Sequence, residues 1–379
     1  MAEATPAEPE LWRERARRFA EKFVVSRASE IDRTDRVPPS IVQGLVENGF
    51  FGVGLPPEWD GRGGDTRATV AVLEELARGS AAVAVLVAVH LSVCAAPILQ
   101  WGTGAQKERY LRPLARGERI GAFGLTEPGV GSDTARLSTR YRREVEGGFV
   151  LDGTKMFISN AASAGVTLVF ATSDPTLGHR GISAFVVPSE TPGFSVAQRL
   201  DKLGLRGSET TELVLKGVRL GPEALLGPEG SGLKLALGAL SGGRVGIAGC
   251  ALGVAQAAFE EMLRSVRRDP TEASRHRLAQ MFSSLASARA LVDRAARSKD
   301  AALPFVSDAS VAKLVASRAA VEIASAAIDV AGPEGTRAES VAGRLWRDAR
   351  VFPIVEGTTE IQELILARDL LEPSASRNP

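Results

Sequence analysis

The sequence predicts a mainly α-helical protein with a small β domain in its middle, and two observations carry that expectation. Apolar residues recur at helical spacing through the first and last thirds of the chain, and between about residues 119 and 230 that period gives way to short β-prone runs. A length of 379 residues suits two or three domains. We place an N-terminal helical domain at 1–118, a β-barrel or sandwich at 119–230, and a helical bundle at 231–379 with a disordered tail from Pro373.

The elements follow in order. Residues 12–29 put Trp12, Ala16, Phe19 and Phe23 on one helical face, 39–48 form a helix closed by Gly49, and 67–78 and 81–100 continue with apolar repeats. The strands are 120–125, 149–152, 166–172, 182–187 and 212–216, separated by Gly, Pro, Asp and Ser clusters. Past Gly232 the helical period returns in Leu252, Ala255, Phe259, Met262 and Val266, then over 277–299, 308–331 and 361–371. Together these make an antiparallel four-helix bundle.

Composition excludes several classes. A formal charge of +1 gives no global attraction to nucleic acid or an anionic membrane. Cys94 and Cys250 sit in small apolar runs and read as buried thiols of a reducing compartment. His90, His179 and His276 are scattered, so no metal site is expected. The first residues are acidic and Pro-rich, unlike a signal peptide, and the apolar run 81–89, interrupted by His90 and Pro97, is too short to span a bilayer. A cytoplasmic location is expected.

The chemistry concentrates in two motifs. Val355-Glu356-Gly357-Thr358-Thr359-Glu360-Ile361-Gln362 puts a carboxylate in a glycine-flanked turn before an apolar helix, where a general base can sit exposed to a substrate. Thr359 and Gln362 have capping-box spacing. Taken alone, Glu356 would read as an acidic residue complementing a helix N-terminus. The second motif, Leu125-Thr126-Glu127-Pro128-Gly129-Val130-Gly131-Ser132-Asp133, is followed by Lys155-Met156-Phe157-Ile158-Ser159-Asn160. Taken singly, its hydroxyls would read as turn and cap chemistry.

With the segments 181–188, 201–208, 243–248 and 347–350, these motifs resemble the acyl-CoA dehydrogenase family from about Arg13 to Leu371. The resemblance implies an FAD-dependent enzyme that introduces an α,β double bond into an acyl thioester, carried by CoA or an acyl carrier protein. The flavin would lie between the β domain and the C-terminal bundle. Carried over, Phe123, Leu125, Thr126, Gly131 and Ser132 would line the flavin ring and phosphate region, with Phe157, Ile158 and Ser159 against the ring. Thr358 and Glu360 would meet the nucleotide part of the cofactor and Gly332 its adenosine half. Ser132, Arg244 and Gly357 would contact the substrate, and Glu356 would be the base. Burial under substrate should raise the Glu356 pKa, and the helix dipole should lower it. The implied partners are an electron-accepting flavoprotein or oxygen, and further copies of the chain in a homodimer or homotetramer.

Three departures from the family pattern stand out. The Arg-bearing segment that clamps the FAD pyrophosphate of a neighbouring subunit is missing from 267–277, and Asp329 and Pro333 replace a Gln and a Gly. Both changes predict weaker FAD binding. Where many family members have an Asp shortly before the Arg, this chain has Ser241-Gly242-Gly243-Arg244, which points toward a carrier-protein substrate in a secondary pathway. Val355, in place of a bulkier aromatic, leaves room in the acyl pocket. The alternative is a relative with lost FAD binding, using Glu356 for non-redox proton transfer or simply binding an acylated partner. A flavin monooxygenase or nitroalkane-oxidase relative is a third.

Overall fold

The computed structural model describes residues 8–145 and 147–371; the tail expected to be disordered lies outside them. The N-terminal domain comprises α1 (Glu8–Phe19), α2 (Ala28–Thr34), α3 (Pro39–Glu47), α4 (Thr66–Gly79), α5 (Ala81–Val89), α6 (Ala96–Trp101), α7 (Gly104–Gln106) and α8 (Arg112–Arg116). The expected single helix over 12–29 is instead α1, a wider π-type turn over Ala20–Val24, and a 3-10 turn into α2. The wide turn rotates the apolar face by about one residue. Val24 is therefore fully buried, whereas Phe23, expected on the inner face, is 44% exposed.

A second correction concerns the run at 81–89. His90 and Pro97 do not end the helix, because a π-type turn over His90–Ala95 carries α5 into α6. The resulting stretch Ala81–Trp101 and the later helix Gly232–Arg268 are both long and apolar enough to cross a membrane. Yet 78% and 72% of their apolar windows are buried inside the protein, as befits core helices. His90 is wholly buried; its Nδ1 accepts from the Gly121 N–H at 3.1 Å and its Nε2 faces the Phe51 carbonyl at 3.1 Å, which ties the helical domain to the first strand.

The middle domain contains β1 (Ile120–Gly124), β2 (Arg140–Arg143), β3 (Phe149–Ser159), β4 (Ala164–Thr172), β5 (Ile182–Pro188), β6 (Phe194–Arg199), β7 (Thr210–Leu220) and β8 (Leu225–Leu226). Their order is β6-β7-β3-β2-β4-β5-β8, with β1 parallel to β4. The sheet folds over a small core that includes Tyr141, Phe149, Val169, Phe185 and Leu215. Strands β2, β6 and β8 were not anticipated, and β3 runs seven residues past the expected end at Asp152. At Gly153 (φ +154°) a Cβ would lie 2.6 Å from Thr139 Oγ1, so glycine lets the strand continue where its pattern suggests a break.

The last domain holds α9 (Gly232–Arg268), α10 (Glu272–Asp300), α11 (Val306–Ala331), α12 (Val341–Ala349) and α13 (Thr359–Leu371). Helix α9 packs along α11 and also against α4, so one large core joins the two helical domains. The connection from α9 to α10 is as short as expected, and Thr271 and Ser274 form a capping box at its exit.

Candidate active site

The turn between α12 and α13 is pinned from two sides. Arg347 donates both Nη groups to Asp32, at 2.7 and 2.6 Å, and the Asp348 carboxylate accepts from the Leu205 N–H at 2.6 Å. Beyond α12 the chain reverses through Glu356 (φ +52°) and Gly357 (φ +96°), both in left-handed backbone. Such a conformation is strained for Glu, and residues held this way cluster at functional sites.

The Glu356 carboxylate is directed into the protein. It folds inward onto α9 at Gly243, where a Cβ would stand 2.0 Å from Glu356 Oε2 and 2.8 Å from its Cδ. Only a residue without a side chain leaves that space. Both carboxylate oxygens are buried and have no hydrogen-bond partner among the described residues. Burial pushes the Glu356 carboxyl up to about 7, with the charges of Arg244 and Lys313 opposing the rise. Arg244 is itself buried, its Nε is unpartnered among the described residues, and burial holds its pKa down.

Under the turn sits Lys313 of α11, whose side chain is fully buried and whose Nζ donates to the Gly357 carbonyl at 2.8 Å. Gln362 Nε2 donates to the same oxygen at 2.9 Å. The expected capping box of Thr359 and Gln362 is therefore absent. Thr358 is the capping residue, its hydroxyl accepting from the Ile361 N–H at 3.4 Å, while the Thr359 hydroxyl points to the Pro353 carbonyl at 3.5 Å. The helix starts one residue earlier than the motif spacing suggests, and the Gln362 amide is left to donate to the Gly357 carbonyl.

The second motif is rigid for an equally specific reason. Glu127, buried, accepts from the Ser138 N–H and Oγ at 2.6 Å each, from the Thr139 N–H at 2.9 Å, and from Lys155 Nζ at 2.8 Å. Burial alone would raise its pKa, but the Lys155 charge and these donors outweigh it and hold the carboxyl below the usual range. Lys155 Nζ also donates to the Leu125 carbonyl at 3.1 Å, and the Met156 N–H donates to the Thr126 carbonyl at 2.9 Å. The two stretches of the motif thus lie side by side. Where the β3–β7 register slips between Lys155 and Ile158, Phe157 adopts φ +61° and stands 64% exposed.

The expected flavin set therefore divides. Thr126, Ser132, Phe157 and Ser159 present surface, and at Gly131 a Cβ would meet nothing within 4 Å. Leu125 and Ile158 are buried, and Phe123 packs edge-on against Phe170 at 4.9 Å, so these three position the surface from beneath. Thr358 and Glu360 stand at the start of α13. Gly332 caps α11 at φ +64°, and at 1.5 Å per residue it lies about 28 Å along the helix from Lys313, outside the Glu356 pocket. The residues fit a flavin: an exposed aromatic beside hydroxyls, on a locked turn, offers a ring an apolar face and polar edges. Pro333 sits in the first turn of a short 3-10 helix, where a missing N–H costs the helix nothing.

Sequence reasoning missed Gly243, Lys313 and the Lys155–Glu127 pair. The only signals were a Gly-Gly doublet before Arg244 and a lone Lys within an Ala-rich helix.

A buried carboxylate without a hydrogen-bond partner among the described residues, beside a buried arginine, and a locked turn bearing an exposed aromatic are compatible with flavin-dependent chemistry on an acyl thioester. Comparison with known proteins agrees. The chain matches the N-terminal domain of acyl-CoA dehydrogenases over residues 6–118, the middle domain over 122–218 and the C-terminal domain over 230–371. It is 40% identical over 374 residues to the mitochondrial short-chain specific acyl-CoA dehydrogenase of Rattus norvegicus, covering 97% of this chain and 90% of that one. The solved butyryl-CoA dehydrogenase of Megasphaera elsdenii superposes with a TM-score of 0.95 at 35% identity, covering 98% of this chain and all of the other. A prolyl acyl carrier protein oxidase, AnaB, superposes at 0.92 with 28% identity, over 97% of this chain and all of the other. The chain belongs to the acyl-CoA dehydrogenase family. It is an FAD-dependent acyl-thioester dehydrogenase, an oxidoreductase acting on a CH–CH bond.

Proposed function

We propose that Glu356 is the base of this dehydrogenation and that the substrate is a short acyl-CoA. The carrying observation is the seat of the carboxylate: buried on Gly243, without a hydrogen-bond partner among the described residues, and with a pKa pushed up to about 7. A base with that pKa is half ionised near neutral pH and gains its proton without a large energetic penalty. Arg244 and Lys313 keep a fraction of it ionised despite burial. The Glu356 backbone N–H enters no hydrogen bond among the described residues, which leaves it available to the thioester oxygen as negative charge develops there. Phe157 and the Leu125–Asp133 turn would hold FAD, which when bound would supply the acceptor for the β hydrogen as hydride. Thr126, Ser132 and Ser159 would orient it, Gly131 would allow its close approach, and Thr358, Glu360 and Gly332 would serve its nucleotide end. Ser132, Arg244 and Gly357 hold the substrate.

The short α9–α10 connection supports weaker FAD retention, since one charge-assisted hydrogen bond is worth about 1.5–3 kcal/mol, or roughly tenfold to a hundredfold in affinity. Nothing in the site favours the non-redox alternative. The electron acceptor is a flavoprotein or oxygen, the assembly a homodimer or homotetramer, and the location cytoplasmic. Steady-state turnover of a short acyl-CoA with an artificial electron acceptor tests the assignment. Glu356→Gln should remove turnover, and retained activity would assign the base elsewhere.

One observation favours a second carrier. The Ser241 hydroxyl donates to the Leu237 carbonyl at 2.8 Å in its own helix, so the position offers the pantetheine arm no charged contact. A carrier protein, with its own docking surface, depends less on such a contact. Turnover of one acyl group on CoA and on carrier protein decides this, and a clear preference for CoA would rule out the second reading.

A further inference from the structure

On the reading that Glu356 is the base, we propose that Lys313 is a positioning residue for it: a buried ammonium that fixes the catalytic turn through the Gly357 carbonyl. The turn needs such a support. Two successive residues stand in left-handed backbone, and for Glu356 that conformation persists only where its surroundings impose it. The Gly357 carbonyl is the point of attachment, taking Lys313 Nζ at 2.8 Å from α11 and Gln362 Nε2 at 2.9 Å from α13. No salt bridge within 4.0 Å accounts for Lys313 among the described residues, although its side chain is fully buried. A lysine kept in the core without an ion-pair partner, when a methionine would fill the same volume, has its charge as the reason.

Two donors on one oxygen give the proposal an internal control. Both fix the carbonyl, but only Lys313 is charged. The groups facing the carboxylate are Arg244 and the Cys250 thiol from α9 and Lys313 from α11, with Glu360 of α13 acting on Lys313 from outside. Removing Lys313 leaves Arg244 as the one cation among the described residues that opposes the burial of Glu356, so the base becomes harder to ionise. Removing the Gln362 amide weakens the turn without changing that balance.

The test is the pH dependence of flavin reduction in the FAD-loaded enzyme, mixed anaerobically with saturating acyl-CoA, for Lys313→Met, Gln362→Leu and Glu356→Gln. Lys313→Met should lower the limiting rate about tenfold to a hundredfold, as for one lost charge-assisted bond, and move the acid limb up by about one pH unit. Substrate affinity should stay within about threefold. Gln362→Leu should slow the reaction with the limb unmoved. An unmoved limb in Lys313→Met would overturn the proposal while leaving the base assignment intact. Normal reduction in Glu356→Gln would overturn the base assignment itself. Should Lys313→Met not accumulate folded, Lys313→Gln removes the charge, keeps a donor for the carbonyl and reads out the same limb.

Discussion

Gly243→Ala separates activity from stability at a single methyl group. The added Cβ would stand 2.0 Å from Glu356 Oε2, 2.8 Å from Cδ and 3.1 Å from Oε1, so the carboxylate must retreat by more than 1 Å to reach ordinary contact. It can retreat, because it ends a side chain with three rotatable bonds. The helix gains instead, since Ala in a helix interior is favoured over Gly by about 0.8–1 kcal/mol. The melting temperature should therefore hold or rise by a few degrees. A displacement of about 1 Å of the reacting group can cost about a hundredfold in rate. Single-turnover flavin bleaching by acyl-CoA should fall by about that factor, with FAD content unchanged. Wild-type bleaching in Gly243→Ala would refute the placement of the carboxylate on α9, and a collapsed melting temperature would show that the methyl group meets backbone.

Lys155→Met should strand the Glu127 carboxylate and cost roughly 3–5 kcal/mol, the usual penalty for breaking a buried ion pair from one side. Thermal melting and the ratio of flavin to protein absorbance should drop together. His90 sets an acid limb of stability: burial holds its pKa down at about 4, against 6.5 for a solvated imidazole. The unfolded chain therefore binds the proton first. The contribution is full above pH 6.5 and is lost as pH falls toward 4, by up to about 3 kcal/mol, measurable as denaturation midpoints across that range. Asp32→Ala should release the Arg347 end of α12, slowing turnover and lowering the melting temperature modestly, because both partners are only part-buried. A titration of the apoprotein with FAD should give a dissociation constant roughly tenfold to a hundredfold weaker than an enzyme retaining the pyrophosphate arginine.

The two motifs were legible because each carries its geometry locally. Glu356-Gly357 announces a left-handed turn, and the Gly- and Pro-rich run at 125–133 announces a turn. The α, β, α order was legible from the change of period. What failed depended on partners distant in sequence or on a slip of one residue. Gly243 owes its role to a carboxylate 113 positions away, and Lys313 reads from sequence as one more lysine on a helix surface. The π-type turn at Ala20–Val24 leaves the composition unchanged yet exchanges Phe23 for Val24 at the core. Strands β2 and β6 escaped notice because they are rich in Arg and polar residues with mostly exposed side chains, and pairing with β3 and β7 holds them in the sheet.

The measurement that tests the account most directly is the visible spectrum of the FAD-loaded protein under anaerobic conditions, before and after addition of a short acyl-CoA, alongside Glu356→Gln. The account predicts that wild type is yellow and bleaches on mixing, and that the variant binds the same flavin and stays yellow. A protein that takes up no FAD, or a variant that bleaches at the wild-type rate, would contradict it.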